Sequence, residues 1–332
     1  MDFNDKFLIK KEIQLNHSNI ILFCVIANAM EHLPTFMSHY RAIGISQFYF
    51  LIDKSADGTE EFLNRQNDVG IIVSDLRYGD IVEYEAPNKQ KLKNSAGNFF
   101  KFIVPYCLFQ NNWVLTVDSD EYLELPEKNK SILSLINDLN IEGSLACRGL
   151  MVDVYPNFIS KLVESDDKKG AELEFYVDLP EYLWPAEQNH CLFYNQIKEV
   201  KTRILMNYLE YRNENNDEYF NTFKPKKFRF PTRTKIPLNY WHKHAHANAH
   251  FSSNTATDKI QVALRHQCFS KKFIQKVENA VKDGQYHDSS SAYIPLYFLI
   301  KNDQNFQLYN QHSLSISETD ILQKAPFSYN NV

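Results

Sequence analysis

The first third of the chain alternates short apolar runs with segments in which apolar residues recur at helical spacing. Residues 20–27, 47–52 and 70–76 are mostly apolar runs bounded by turn-forming residues, which predicts buried strands. Between the first two runs, apolar residues from Leu33 onwards recur every three or four positions up to Gly44, which predicts a helix and its end. This strand–helix–strand rhythm predicts an α/β fold with a parallel, doubly wound sheet.

The second half of the chain has a less regular pattern that still indicates further elements. Residues 144–154 have the pattern of a strand with Asp153 near its end, and helical spacing recurs near the C-terminus, in residues 270–284 and 293–300. No internal repeat or low-complexity linker divides the chain. We therefore expect one domain over residues 18–268 and a helical C-terminal extension, residues 269–332, packed on it.

An acidic segment directly follows another apolar run. Residues 113–117 predict a buried strand of parallel type, and Asp118, Asp120 and Glu121 come after it. Ligands of open α/β sheets bind just beyond the carboxyl ends of such strands. On an extended backbone Asp118 and Asp120 would point the same way, and two carboxylates so close favour a cation between them. Their oxygens suit Mg²⁺ or Mn²⁺ shared with a diphosphate, whereas the alternative is a polar, solvated turn.

Composition and charge exclude several classes of protein. The net charge of −5 argues against general nucleic-acid binding, and five scattered cysteines without a Cys-x-x-Cys pair indicate free thiols in a reducing compartment. Residues 1–17 lack the apolar core of a signal peptide, and no apolar run reaches the ~18 residues of a membrane helix. We therefore expect a cytoplasmic protein. Its basic segment 224–235 could contact an anionic membrane surface or a phosphorylated acceptor, or form a solvated face.

Short motifs in a fixed order cover most of the chain. They are Asn28, Asp57-Gly58-Thr59, Asp118-Ser119-Asp120-Glu121-Tyr122, residues 150–156 around Asp153, residues 200–203, residues 235–241, His250 and His266. In this order they resemble the bacterial glycosyltransferase family two, which has the GT-A fold. The chain departs from the family pattern at Phe36, Lys54 and Ala29, where the family has Trp, Asn and Glu.

The resemblance implies a fold and an activity. The fold would be of GT-A type, a mostly parallel, Rossmann-like sheet flanked by helices. The activity would be that of an inverting, metal-dependent glycosyltransferase that moves a hexosyl or N-acetylhexosaminyl group from a nucleotide-sugar donor, expected to be a UDP-sugar. The acceptor would be a glycan or glycolipid in bacterial cell-surface polysaccharide or lipopolysaccharide synthesis.

The resemblance also implies a metal site. Asp118 and Asp120 would bind Mn²⁺ or Mg²⁺, and Asp118 would also face the sugar or ribose of the donor. His250 or His266 would complete the metal sphere or contact the diphosphate. A divalent cation would stabilise the charge that grows on the departing diphosphate.

Three further residues are implied contacts of the donor. Asn28 and Asp53 would contact the nucleotide, although Asp53 could instead form only a turn. Arg203, which lies on a strand in the family, would pair with phosphate, since its planar fork suits two oxygens. A structural ion pair is the alternative for Arg203.

An inverting transfer needs a general base to take the proton of the acceptor hydroxyl. Asp153 is the first candidate, because it lies near the end of a predicted strand and matches a motif position. Glu187 is the second candidate, in the segment Trp184-Pro185-Ala186-Glu187. Either carboxylate could instead be solvated or paired with a cation.

Three other classes stay open. His242, His244 and His246 would share one face of a strand and could bind zinc in a metal-dependent hydrolase, or be surface or core histidines. A sugar-phosphate nucleotidyltransferase would need a glycine-rich loop after the first strand, and residues 28–31 contain no glycine. A non-catalytic glycan-binding relative would keep the fold without the chemistry.

Overall fold

The computed structural model describes residues 6–16, 20–160, 174–178, 182–183, 192–193, 199–215, 234–270, 272–284, 290–303, 305–316 and 322. In this part of the chain the fold is mixed α/β, as predicted, with a large sheet flanked by helices. The strands are β1 (Phe7–Lys11), β2 (Ile21–Ile26), β3 (Gln47–Ile52), β4 (Val69–Ser74), β5 (Ile81–Glu85), β6 (Lys91–Ser95), β7 (Trp113–Thr116), β8 (Glu121–Glu124), β9 (Ala146–Pro156), β10 (Phe175–Asp178), β11 (Tyr182–Leu183), β12 (Leu192–Phe193), β13 (Thr234–Tyr240), β14 (Ala256–His266) and β15 (Ser313–Ser315). The helices are α1 (Leu33–Ala42), α2 (Thr59–Asn64), α3 (Ala96–Leu108), α4 (Ile132–Ile141), α5 (Val200–Asn215), α6 (Phe273–Asp283) and α7 (Ile294–Asn302).

The first half of the sheet is parallel. The strands β4, β3, β2 and β7 lie side by side in this order, and β1 adds an antiparallel edge strand to β4. Every residue of β2 and β3 is buried, because apolar clusters that include α1 and α4 on one face and α3 on the other cover the sheet. The predicted strand–helix rhythm is confirmed, and the carboxyl ends of these strands meet at one edge.

The second half of the sheet runs in both directions. β13 is antiparallel to β7 and β9, whereas β9 is antiparallel to β10 and parallel to β14. All eleven residues of β9 are buried. This strand continues past Asp153 to Pro156, because β10 pairs with its last residues. Asp153 therefore lies inside a buried strand, further from its end than the sequence pattern indicated.

The helices of the C-terminal part pack together in one apolar cluster, which also contains residues of α5. α6 ends before Gly284, whose φ of +59° is the left-handed conformation that favours glycine, as the sequence predicted. The resemblance had assigned Arg203 to a strand, and this was wrong. Val200, Ile204 and Tyr208 recur every four positions and form the buried side of a helix. The boundary between the main domain and the extension stays a prediction.

Arg203 joins α5 to the sheet through a buried polar network. Its Nη1 donates to Asp178 Oδ2 at 2.8 Å, and its Nη2 donates to the carbonyl oxygen of Leu308. The Tyr155 hydroxyl bonds to the Asp178 carboxylate and to Ser313 Oγ, the latter at 2.8 Å. The guanidinium therefore stabilises the junction of α5 with β9, β10 and β15.

We expect Arg203→Met to lower the free energy of unfolding by about 3 kcal/mol, because the variant leaves the Asp178 carboxylate buried without its cation. Guanidinium denaturation of the variant and the wild type measures the difference. The matched control is Lys10→Met, which removes an exposed ion pair with Glu60 and should cost less than about 1 kcal/mol. Equal costs for the two variants would contradict a structural role for Arg203.

Candidate active site

The acidic segment forms a tight turn at the carboxyl end of β7. The backbone N–H of Glu121 donates to the carbonyl oxygen of Asp118 at 3.0 Å, and Glu121 Oε2 accepts from the N–H of Asp118 at 3.1 Å. The backbone turns here instead of continuing extended, and Asp118 and Asp120 pair with different lysines. Whether they share a divalent cation stays a prediction.

Asp118 is held between two buried lysines. Its Oδ1 accepts from Lys101 Nζ at 2.6 Å and its Oδ2 from Lys235 Nζ at 3.1 Å, and Lys235 also pairs with Glu121. Burial alone would raise the pKa of Asp118, but the two ammonium groups hold it well below its usual range. Burial alone would lower the pKa of each lysine, and the carboxylates raise it instead. Asp118 is therefore an ionised acceptor with a fixed orientation.

Asp120 contacts a second set of cations. Its Oδ2 lies 3.1 Å from Lys276 Nζ on α6 and 3.6 Å from His266 Nε2 at the end of β14. Burial alone would raise the pKa of Asp120, but Lys276 and His266 hold it well below its usual range. The two aspartates of the motif thus have separate electrostatic surroundings.

His266 links Asp120 to Asp153. The pairing of β14 with β9 sets His266 beside Asp153, and His266 Nδ1 lies 2.5 Å from Asp153 Oδ1. The same oxygen contacts Lys201 Nζ at 3.1 Å and the Cys268 thiol at 3.5 Å. Burial alone would lower the pKa of His266, but the Cys268 sulfur and the Asp120 carboxylate hold it well above its usual range.

The donor atoms of this cluster can be tested for their fit to a metal. Asp153, His266 and Cys268 offer three donors, but the 2.5 Å between Asp153 Oδ1 and His266 Nδ1 is a hydrogen-bond distance, and two ligands of one ion would lie about 3 Å apart. Asp120 fits better as a partner of His266 at a metal. Asp153 bonds to Nδ1 of His266, and the other ring nitrogen, Nε2, faces Asp120. A carboxylate orients many metal-binding histidines in this way. Asp120 and His266 therefore fit Mn²⁺ or Mg²⁺, while lysines already engage both oxygens of Asp118.

His250 lies close enough to Asp118 to feel its charge. Its Nδ1 bonds to the carbonyl oxygen of Thr234 at 2.8 Å, next to Lys235. Burial, reinforced by the charge of Lys235, lowers the pKa of His250 to about 4, so the imidazole is neutral. The hydrogen bonds of the described residues do not join His250 to Asp120, and its role at a metal stays a prediction.

Asn28 and Asp53, the predicted nucleotide contacts, lie at the carboxyl ends of β2 and β3. Asn28 has φ +49°, and its Oδ1 accepts from the N–H of Ala56 at 2.8 Å, which ties the two loops together. Asp53 accepts from Arg77 Nε at 2.8 Å and from the N–H of Tyr78 at 2.9 Å. Both residues therefore shape loops at the sheet edge that carries the acidic turn.

The four lysines that neutralise these carboxylates were not predicted from the sequence as site residues. Lys101 lies in an otherwise apolar stretch of α3, and a lysine among buried positions is a usable signal, because a buried lysine needs a partner. Lys201 and Lys235 lie in the motif segments 200–203 and 235–241 but were given no role there, and Lys276 gave no signal. Each meets a carboxylate from a distant part of the chain.

Arg203 and Glu187 are the remaining predicted site residues. Arg203 belongs to the polar network of α5, which is the structural alternative considered for it, and its role towards phosphate stays a prediction. Glu187 lies outside the described residues, so its role as a base also stays a prediction.

The histidine-rich segment does not have the geometry that a hydrolase would need. β13 ends at Tyr240, and the N–H of Ala245 donates to the carbonyl oxygen of His242 at 2.8 Å, which closes a turn. His242, His244 and His246 therefore do not line one face of a strand. Among the described residues, these histidines do not form a cluster of metal-binding groups.

Two observations bear on membrane contact. Residues 224–233 of the basic segment lie outside the described residues, so contact with a membrane or a phosphorylated acceptor stays a prediction. Within the described ranges, none of the helices combines the length and the apolar character that crossing a bilayer requires.

Comparison with solved structures finds chains with a coarse similarity to this one. One is S. aureus TarS, 18% identical, with a TM-score of 0.26, over 40% of this chain and 21% of that chain. Another is S. aureus TarS 1-349 in complex with UDP-GlcNAc, 16% identical, with a TM-score of 0.26, over 40% of this chain and 34% of that chain. The match spans about a fifth and a third of those chains. No protein-family model and no curated protein matches the chain.

His250 gives a pH dependence with a defined sign. Its folded-state pKa lies below that of the unfolded chain, so the neutral imidazole contributes stability above pH ~6.5 that is lost as the pH falls towards 4. The free energy of unfolding should therefore decrease less between about pH 7 and pH 5 in His250→Gln than in the wild type. Denaturation in metal-free buffer measures both slopes. His312→Gln, at an exposed position, is the control, and equal slopes for His250→Gln and the wild type would contradict the burial of His250.

Proposed function

We propose that this chain is a nucleotide-sugar glycosyltransferase. It transfers a sugar, with inversion, from a nucleoside-diphosphate donor to a glycan or glycolipid acceptor. The observation that supports the proposal is the pair of Asp120 and His266 beside an acidic turn at the carboxyl end of β7, the edge at which open α/β sheets bind ligands. UDP is the first nucleotide to test, because the sequence resemblance favours a UDP-sugar.

In this proposal Asp118 binds the donor and not the metal. Lys101 and Lys235 keep its carboxylate ionised and oriented, and 32% of its side chain is exposed, which leaves it able to accept a hydrogen bond from a donor hydroxyl. Asn28 and Asp53 shape the loops on the nucleotide side of the same edge.

Mn²⁺ or Mg²⁺ is the cofactor of the proposed reaction. Asp120 and His266 would hold the ion, which supplies Lewis-acid stabilisation of the departing diphosphate when it is bound. Because a metal-binding histidine must be neutral, His266 has to release a proton when the ion binds. Metal affinity should therefore rise with pH.

Asp153 and Glu187 are the candidates for the general base. Asp153 is buried, and its Oδ1 is already engaged by His266, Lys201 and Cys268. This environment favours a residue that orients His266 over one that abstracts a proton. Glu187 stays the alternative.

The proposed reaction belongs to the synthesis of a bacterial cell-surface polysaccharide or lipopolysaccharide. The group transferred would be a hexosyl or N-acetylhexosaminyl group. Synthesis would take place in the cytoplasm or at the inner face of the cytoplasmic membrane, where a glycolipid acceptor is accessible to a protein bound at the surface.

Calorimetric titration of UDP with and without Mn²⁺ tests the donor site. The wild type should bind UDP more tightly with Mn²⁺, and Asp120→Asn should lose this difference, because a neutral amide is a weaker ligand for a hard cation. Asp258→Asn, an exposed position on β14, is the control and should keep the difference. A difference that persists in Asp120→Asn would contradict the metal assignment. Absence of UDP binding by the wild type in both buffers would contradict a uridine donor.

Asp153→Asn separates the two roles considered for Asp153. We expect the variant to bind Mn²⁺ about 10- to 100-fold more weakly, as is typical when the carboxylate behind a metal-binding histidine is lost. Transfer activity should then return at high Mn²⁺ concentration. Electron paramagnetic resonance measures free Mn²⁺ in the titration. Unchanged Mn²⁺ affinity together with abolished transfer would instead identify Asp153 as the base.

A further inference from the structure

Lys276 differs from the other lysines of the site in its exposure. The side chains of Lys101, Lys235 and Lys201 are 3%, 5% and 19% exposed, whereas that of Lys276 is 37% exposed. The first three ammonium groups are therefore enclosed by the protein and held by carboxylates of the site. Lys276 has room to move its ammonium group between the site and solvent.

The backbone of Lys276 is nevertheless firmly placed. Phe273 and Val277, on the same two turns of α6, are buried in the apolar cluster of the C-terminal helices. Lys276 thus projects from a packed helix towards Asp120. A long side chain on a fixed backbone can exchange one charged partner for another without a change of fold.

The partner of Lys276 is also the residue that fits a metal. Lys276 Nζ lies 3.1 Å from Asp120 Oδ2, and His266 Nε2 lies 3.6 Å from the same oxygen. A divalent cation bound to Asp120 and His266 would repel an ammonium group at that distance. The ammonium group and the cation therefore compete for this carboxylate.

A further histidine lies near Asp120 and Lys276. His32, next to the start of α1, senses the charges of both Asp120 and Lys276, and burial lowers its pKa. A diphosphate bound at the same edge of the sheet would offer negative charge to an ammonium group displaced from Asp120.

We propose that Lys276 of α6 is a diphosphate-binding residue. In the empty site its ammonium group neutralises Asp120, and in the loaded site it leaves Asp120 to the divalent cation and binds the diphosphate of the donor. Lysine suits this role, because its ammonium is a compact point charge on a flexible stem. The identity of the ligand as a nucleoside diphosphate rests on the proposed function, whereas the competition at Asp120 does not.

The proposal predicts opposite changes in two affinities of Lys276→Met. Without its competitor, Mn²⁺ alone should bind more tightly than to the wild type. Inorganic diphosphate in the presence of Mg²⁺ should bind about tenfold more weakly, the usual consequence of losing one charge-assisted contact. Calorimetry measures the diphosphate, and electron paramagnetic resonance measures Mn²⁺.

Two variants control this experiment. Lys282→Met removes an exposed lysine from the last turn of the same helix and should change neither affinity. Lys276→Arg keeps a cation at the position and should bind diphosphate within a few-fold of the wild type. It also separates the loss of charge from any misfolding of Lys276→Met.

Specific outcomes overturn the proposal. Diphosphate affinity equal to that of the wild type in Lys276→Met would do so, and so would a joint fall of both affinities, which indicates a structural role only. Failure of the wild type to bind inorganic diphosphate would also overturn it. A wild type that binds diphosphate through Lys276 but not UDP would keep this inference and contradict the uridine donor instead.

Discussion

The burial of three carboxylates beside a fourth that is partly exposed, at one edge of the sheet, is the constraint on which this site depends. An uncompensated charge in a protein interior costs several kcal/mol, so buried Asp120, Glu121 and Asp153 can lie beside Asp118 only because ammonium or imidazolium groups approach them. These cations come from α3, α5, α6, β13 and β14. Formation of the site is therefore coupled to the packing of elements from most of the described chain.

This coupling gives two aspartates of one motif different chemistry. Asp118 bonds to two lysines that are themselves buried, so its charge and direction are fixed. Asp120 bonds to the half-exposed Lys276 and faces the imidazole of His266. The lysine can move its ammonium group away, and the imidazole can lose its proton. A ligand can therefore replace the partners of Asp120 while Asp118 keeps its contacts with Lys101 and Lys235. This difference supports separate roles in the proposed reaction, with Asp118 on the donor and Asp120 on the metal.

The elements that could be predicted from the sequence are those whose apolar and polar residues follow a regular local pattern. Strands such as β2 and β3 are buried on both faces and so appear as unbroken apolar runs, and Asp118 was found because it follows such a run. α5 was missed because the resemblance placed Arg203 on a strand, although the buried positions Val200, Ile204 and Tyr208 recur at helical spacing. The lysine partners were missed for a different reason, since their pairing depends on tertiary contacts that no local pattern encodes.

The contact between His266 and Asp153 is determined by the register of the strands that carry these two residues. On β14, His266 lies opposite Asp153 of β9 on one side and Glu121 of β8 on the other. The N–H of Gln267 also donates to the carbonyl oxygen of Asp120 at 2.8 Å. Backbone pairing thus positions the imidazole from two sides, and a shift of one residue in β14 would move it to the other face of the sheet. The geometry of the site follows from strand register, which the sequence of each strand alone does not determine.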